Sequence, residues 1–282
     1  MAMTGSGTKD EPYLVDTVLS FIAALLQDGA YIKVAKDLNC NNELQEWKTI
    51  VPTAIDVDMN GYKLLAPYIQ TDQYLFNPAE STNFTIHDGY ILGVYENCAE
   101  GIGRYITFKG MAMTFYPNSC TDVPFKHCSF INCNTYVKNS NSQNKVWFEG
   151  YSIMSNSNFI LYGKPPKISN DNDGIFKGQA YKNLTLDNCR LQGELYGKSD
   201  GNGWHNLLGY NSGMQNGVVD IAIKDKDIVP VYLGNTSYVT NTLLRKGEFA
   251  DTSDKYTDCS YKEIRSVAHS NEVNFTVVEV KE

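Results

Sequence analysis

An eight-residue frame recurs six times along the chain, in the order apolar, any, apolar, any, turn residue, variable, any, apolar. It fits residues 57–64, 84–91, 106–113, 123–130, 146–153 and 184–191. The two leading apolar positions alternate, so their side chains share one face of a strand and the residue between them takes the other. The fifth position is Gly61, Asp88, Gly110, His127, Gly150 or Asn188, residue types that tolerate positive φ in a tight bend. Each copy therefore reads as strand, bend, strand.

Copies begin 27, 22, 17, 23 and 38 residues apart, which excludes a rigid repeat of fixed length. A coil of parallel strands accommodates this spacing, because turns stack through like residues while insertions leave at the corners. The frame predicts an all-β, right-handed parallel β-helix in which Met59, Ile86, Phe108, Phe125, Phe148 and Leu186 form one internal ladder. Cys128 and Cys189 share a frame position as small core residues. An antiparallel sandwich is the competing reading, but it does not require the same turn residue after the second apolar position of every strand.

The organisation expected is an N-terminal attachment segment with a capping helix over 1–50, the coil over 51–235, and a C-terminal capping or assembly segment over 236–282. Asp16 or Thr17 can cap a helix whose apolar face is Val18, Phe21, Ile22 and Leu25, and Gly29 ends it. Such a helix covers the open strand edge that every parallel coil leaves at its end. Tyr31-Ile32-Lys33-Val34 follows as the first strand. Late in the chain, residues 221–225 read as a further rung, 260–269 as a short helix, and Val273-Asn274-Phe275-Thr276-Val277 alternates as a strand.

The opening Gly5-Ser6-Gly7-Thr8, with Pro12-Tyr13 and then the helix and strand just described, resembles the Gly-Ser-Gly-Thr...Asp-Pro-Tyr start of β-helix proteins of tailed bacteriophages and of bacterial surface proteins. Glu11 stands where that pattern has Asp. The resemblance covers about the first 40 residues and implies a β-helix of the capsid-decoration, head-fibre or tail-fibre type. It also implies trimers and attachment to a larger particle, for which Met1, Thr4 and Lys9 are the candidate contact residues.

Charge excludes one partner class. A net charge of −8 with pI near 5.1 opposes a polyphosphate, so nucleic acid is not an expected partner. No 18-residue apolar run and no basic, signal-like start are present, so neither membrane insertion nor export is expected, and seven cysteines in such a chain read as reduced thiols. The expected location is the virion, after synthesis in a host cytoplasm.

Catalytic patterns are weak. Asp56 and Asp58 share an outward face, as no other close pair within a rung does, but Asp187 lies too far along the coil to join them, and the signatures of polygalacturonases are missing. The calcium-like stretch at 169–174 has Ala180 where a bidentate glutamate belongs, and His87, His127, His205 and His269 are scattered. No catalytic residue, cofactor or metal is assigned. With 19 tyrosines and 27 asparagines the chain has aromatic and amide surface to offer, and Trp147, Tyr151, Trp204 and Tyr210 are the candidates for a glycan or partner surface. The expected function is a non-enzymatic structural or binding protein of a virion. Its expected partners are its own subunits as a homotrimer, other virion proteins and host-surface polysaccharide. A polysaccharide depolymerase and a bacterial surface adhesin are the alternatives.

Overall fold

A computed structural model describes residues 3–44, 47–67, 74–94, 103–116, 123–139, 146–163, 174–179, 182–195, 205–206, 208–223, 228–229, 238–245 and 273–278. It is nearly all parallel β-sheet wound as a solenoid, as the frame predicts. The chain divides into two compact units, Met1–Thr135 and Tyr136–Glu282.

In the first unit one face is built from Tyr13–Val15, Tyr31–Val34, Asp56–Asp58, Phe84–His87, Ile106–Lys109 and Ser129–Ile131, each hydrogen-bonded in parallel to the next. A second face stacks Leu38–Asn39, Lys63–Leu65, Tyr90–Val94 and Ala112–Phe115. A shorter third side pairs Gly103–Arg104 with Phe125–Lys126 and extends through bridges at Ile50 and Phe76. The chain turns from the first face to the second at Asp88, Gly110 and Asn132, with φ of 57°, 62° and 54°. It turns onto the first face at Asn83, Tyr105 and His127, also at positive φ. Asparagine and aspartate populate this region because their short polar side chains bond locally.

Ile32, Val57, Ile86, Phe108 and Phe130 fall in register as the internal ladder of this unit, all of them buried. The ladder expected from sequence is corrected in part. Ile86 and Phe108 are neighbours in it, but Phe125 belongs to the third side, and its ring meets Phe108, Phe115 and Phe130 edge-on at 4.6 to 6.4 Å. Met59 lies buried past the end of its strand, where Val57 takes the ladder position.

The second unit repeats the plan. Ile153–Ser155, Leu184–Asp187, Ser212–Gln215 and Tyr238–Arg245 form one face, and Asn158–Gly163, Arg190–Leu195 and Val218–Ile223 another. The corner between them is an asparagine at positive φ every time, Asn156, Asn188 and Asn216, and Asn188 Nδ2 donates to Asn156 Oδ1 at 2.8 Å. Met154, Leu186, Met214 and Val239 are in register. Phe148 instead pairs with Phe176 on the third side of the coil, their rings stacked at 4.8 Å. Val273–Val278 pairs in parallel with Tyr238–Arg245, so strand pairing continues within 236–282. The helix expected at 260–269 lies outside the described residues.

The N-terminal helix forms over Val18–Leu25, with Thr17 as cap: its Oγ1 accepts from Ser20 N at 3.1 Å, while Ser20 Oγ accepts from Thr17 N. Val18 N donates to Glu43 Oε2, and Leu25 O accepts from Thr53 and Ala54, so free backbone groups at both ends find partners. No helix among the described residues is long and apolar enough to cross a membrane. Cys40, Cys128, Cys133 and Cys189 are buried free thiols. Burial pushes Cys40 and Cys128 up to about 12 and Cys133 up to about 11, which keeps them protonated and unreactive.

A candidate binding cleft beside the opening segment

The opening segment folds back on the first strands. Leu14 N donates to Thr4 O at 2.8 Å, Ser6 N to Glu11 O at 3.1 Å, and Tyr31 N to Gly7 O at 2.9 Å, while Thr8 Oγ1 accepts from Glu11 N. Both glycines are required. A Cβ on Gly5 would lie 2.1 Å from Pro12 O, one on Gly7 2.4 Å from the Tyr13 ring, and both residues have positive φ. Glu11 joins the turn through its backbone N–H and carbonyl, and its side chain is exposed.

Between this segment and the outward face of the first sheet lies a cleft of about 1060 Å³. Its floor is set by strand register. Leu14, Lys33, Asp58, His87 and Lys109 form one row across successive coils, and Tyr31, Asp56 and Thr85 form a second row two residues away along each strand. His87 occupies the centre. Its Nε2 bonds Asp56 Oδ1 at 3.2 Å and its Nδ1 bonds Asp88 Oδ2 at 2.8 Å. These contacts raise its pKa to about 9: the bond to Asp56 is the largest cause, desolvation opposes it, and Asp88 and the charge of Asp58 reinforce it. The imidazole is therefore charged at neutral pH, a cation braced by carboxylates. Lys33 reaches Asp58 at 3.6 Å.

Donor atoms of Asp58, His87 and Asp88 lie within 4.8 Å of one another, close enough to share a divalent cation. Both ring nitrogens already engage carboxylates, however, so a metal would have to displace a proton. The arrangement as it stands presents paired charges and hydrogen-bonding edges to whatever enters the cleft.

The residues singled out from sequence do not converge. Trp147 is corrected: it is fully buried, as are Val146 and Phe148 beside it. Trp147 N and Phe148 N both donate to Ile175 O, so the backbone bulges and two consecutive side chains turn inward where alternation would have sent one out. Tyr151 is half-buried with the Lys182 ammonium 4.0 Å above its ring, and Tyr210 is half-buried. Trp204 and Met1 lie outside the described residues, as does most of the calcium-like stretch. Thr4 and Lys9 are exposed, and both line the cleft.

Sequence reading found Asp56 and Asp58 but not their neighbours. His87 and Asp88 are about thirty residues away, and only the pairing of Asp58 with His87 across two coils joins them. Aligning the frame's position just before each bend would have set Asn60, not Asp58, beside His87, so the row needed the register between coils. Comparison of the chain with protein-family models, with curated proteins and with solved structures finds no match.

Proposed function

We propose that the chain is a structural and binding component of a tailed-phage virion, of the capsid-decoration, head-fibre or tail-fibre kind, that contacts host-surface glycans and carries no catalytic activity. The observation that carries this reading is the opening segment. Every residue of Gly5-Ser6-Gly7-Thr8 and of Pro12-Tyr13 takes part in one compact turn against the first coil, so the likeness to phage β-helix openings rests on residues with a shared structural task. A solenoid with charged, half-exposed outward rows also suits a protein that presents a surface. The test is mass spectrometry and antibody labelling of purified particles. The chain is expected in the particle, and its recovery only from a bacterial envelope would favour the adhesin reading.

The second reading, a depolymerase, is favoured by the three carboxylates around His87. Glycoside cleavage needs an acid and a base flanking one bond. Incubation with a panel of capsular polysaccharides separates the two readings: intact polymer is expected, and new reducing ends or unsaturated products would establish the enzyme.

A further inference from the structure

We propose that the cleft beside the opening segment is a saccharide groove, which takes a linear glycan laid along the coil axis over Asp56, Asp58, Thr85 and His87. This rests on the glycan-contact part of the function proposed above and places it on residues that the aromatic candidates did not include.

Outward side chains of stacked strands recur about every 4.8 Å, and two rows on the same strands stand about 6.7 Å apart. The cleft floor therefore sets outward side chains at a regular spacing along a line, across a span of about 19 Å from Leu14 to Lys109. A linear oligosaccharide is a repeating ligand with hydroxyls on both edges of each ring. Laid along the axis, it meets one row with each edge. A folded protein partner presents no such repeat, and an extended peptide would seek a strand edge, whereas the cleft-floor strands from Tyr31 to Lys109 are paired on both sides.

Charge points the same way. The cleft is lined by five carboxylates, from Asp10, Glu11, Asp56, Asp58 and Asp88, against Lys9, Lys33, Lys109 and the charged His87, so the two signs nearly cancel. Balanced, closely paired charges repel neither a neutral polyol nor its partial charges, and they supply the acceptors and donors that hydroxyls need. A polyphosphate would meet the carboxylates, and a polycation the lysines and imidazolium. Apolar contact for ring C–H faces comes from Tyr31 and from Leu14, which is 45% exposed at the end of its row. Lys9, from the opening segment, and Lys109, at the end of its row, have no ion-pair partner among the described residues and can accept an acidic sugar.

The test is binding of the full-length protein to arrayed linear oligosaccharides in two arms, neutral and uronate-bearing. Binding in at least one arm is expected, with at least a tenfold loss in Asp56→Ala and a comparable loss in Thr85→Trp, which fills the groove and leaves its charges in place. Circular-dichroism melting checks that each variant folds, and Thr85→Trp decides the matter if Asp56→Ala does not. Retention by neither arm overturns the proposal, as does binding that survives Thr85→Trp. Binding lost in Tyr151→Ala instead would move the site to the second unit and overturn it equally. Particle labelling reads the virion assignment independently, so a chain found in particles that binds no glycan fails here alone.

Discussion

At the scale of single residues, the titration of His87 gives the most direct check on the cleft. Its folded pKa, about 9, lies above the ordinary 6.5, so the stabilisation from Asp56 and Asp88 is complete below pH 6.5 and is lost as pH rises through 9. The loss is on the order of 1–2 kcal/mol, discounted because Asp88 is 66% exposed. Melting temperature should fall between pH 6.5 and 9.5 in the native chain, and that slope should vanish in His87→Gln. A flat profile in both would mean that the imidazole is not held between the carboxylates. A second prediction concerns the asparagine corners. Asn188→Ala should cost about 1 kcal/mol for forcing a Cβ-bearing side chain without local hydrogen bonding into φ of 51°, and should lose the bond to Asn156 as well. Asn188→Gly should lose only the bond, so urea midpoints are expected in the order native, Gly, Ala.

Elements explain why the sequence was legible in kind and misread in register. All six fifth-position residues of the frame, from Gly61 to Asn188, have positive φ, so strand, bend and strand were each read where they form. The coil, however, has two corners with the same backbone demand. His127 and Gly150 belong to the corner that leads onto the first face, whereas Asp88 and Asn188 leave it, and a local pattern cannot tell these apart. Register is decided by hydrogen bonds between coils, which carry no signature in either strand alone. That is why Phe125 and Phe148 left the expected ladder, and why Asp58 was read without His87. Phe125 is nevertheless fully inside, so Phe125→Asp should leave the chain insoluble or unfolded, since an unpaired buried carboxylate costs several kcal/mol. A soluble Phe125→Asp protein with a cooperative melt would remove the third side from the core. The opening segment makes a further prediction at this scale. Thr4 bridges Leu14 in antiparallel fashion and covers the outer edge of Tyr13–Val15. Deletion of residues 1–9 should lower the melting temperature and raise turbidity, because an open edge templates pairing between chains. An unchanged melt would mean that the segment contributes nothing to the stability of the coil.

For the whole molecule the question is what the chain assembles into, and the residues that bear on it have changed place. The chain carries 19 tyrosines, 12 phenylalanines and 3 tryptophans, but Trp47, Trp147 and a set of packed phenylalanines are inside. What remains outward is a series of half-buried tyrosines, among them Tyr31, Tyr62, Tyr105, Tyr136, Tyr151, Tyr162 and Tyr210, with a few exposed aliphatics such as Leu19, Leu26 and Ile153. Tyrosines of this kind suit a wet, polar interface better than an obligate apolar one, since each has a ring to bury and a hydroxyl to leave solvated. Closed symmetry would bury the same patch on every copy, and the net charge of −8 per chain is screened over about 8 Å at physiological salt. One edge also asks for cover: Val273–Val278 pairs with Tyr238–Arg245, and among the described residues no strand pairs with its other side. A homotrimer joined through 236–282 is therefore the expected state, with dissociation favoured by removal of that segment. Light scattering at micromolar concentration should give three times the chain mass for the full protein and a smaller species for a chain ending at residue 235. A full-length protein that stays monomeric across that range would rule out the trimer and leave the tyrosine faces to solvent or to another partner.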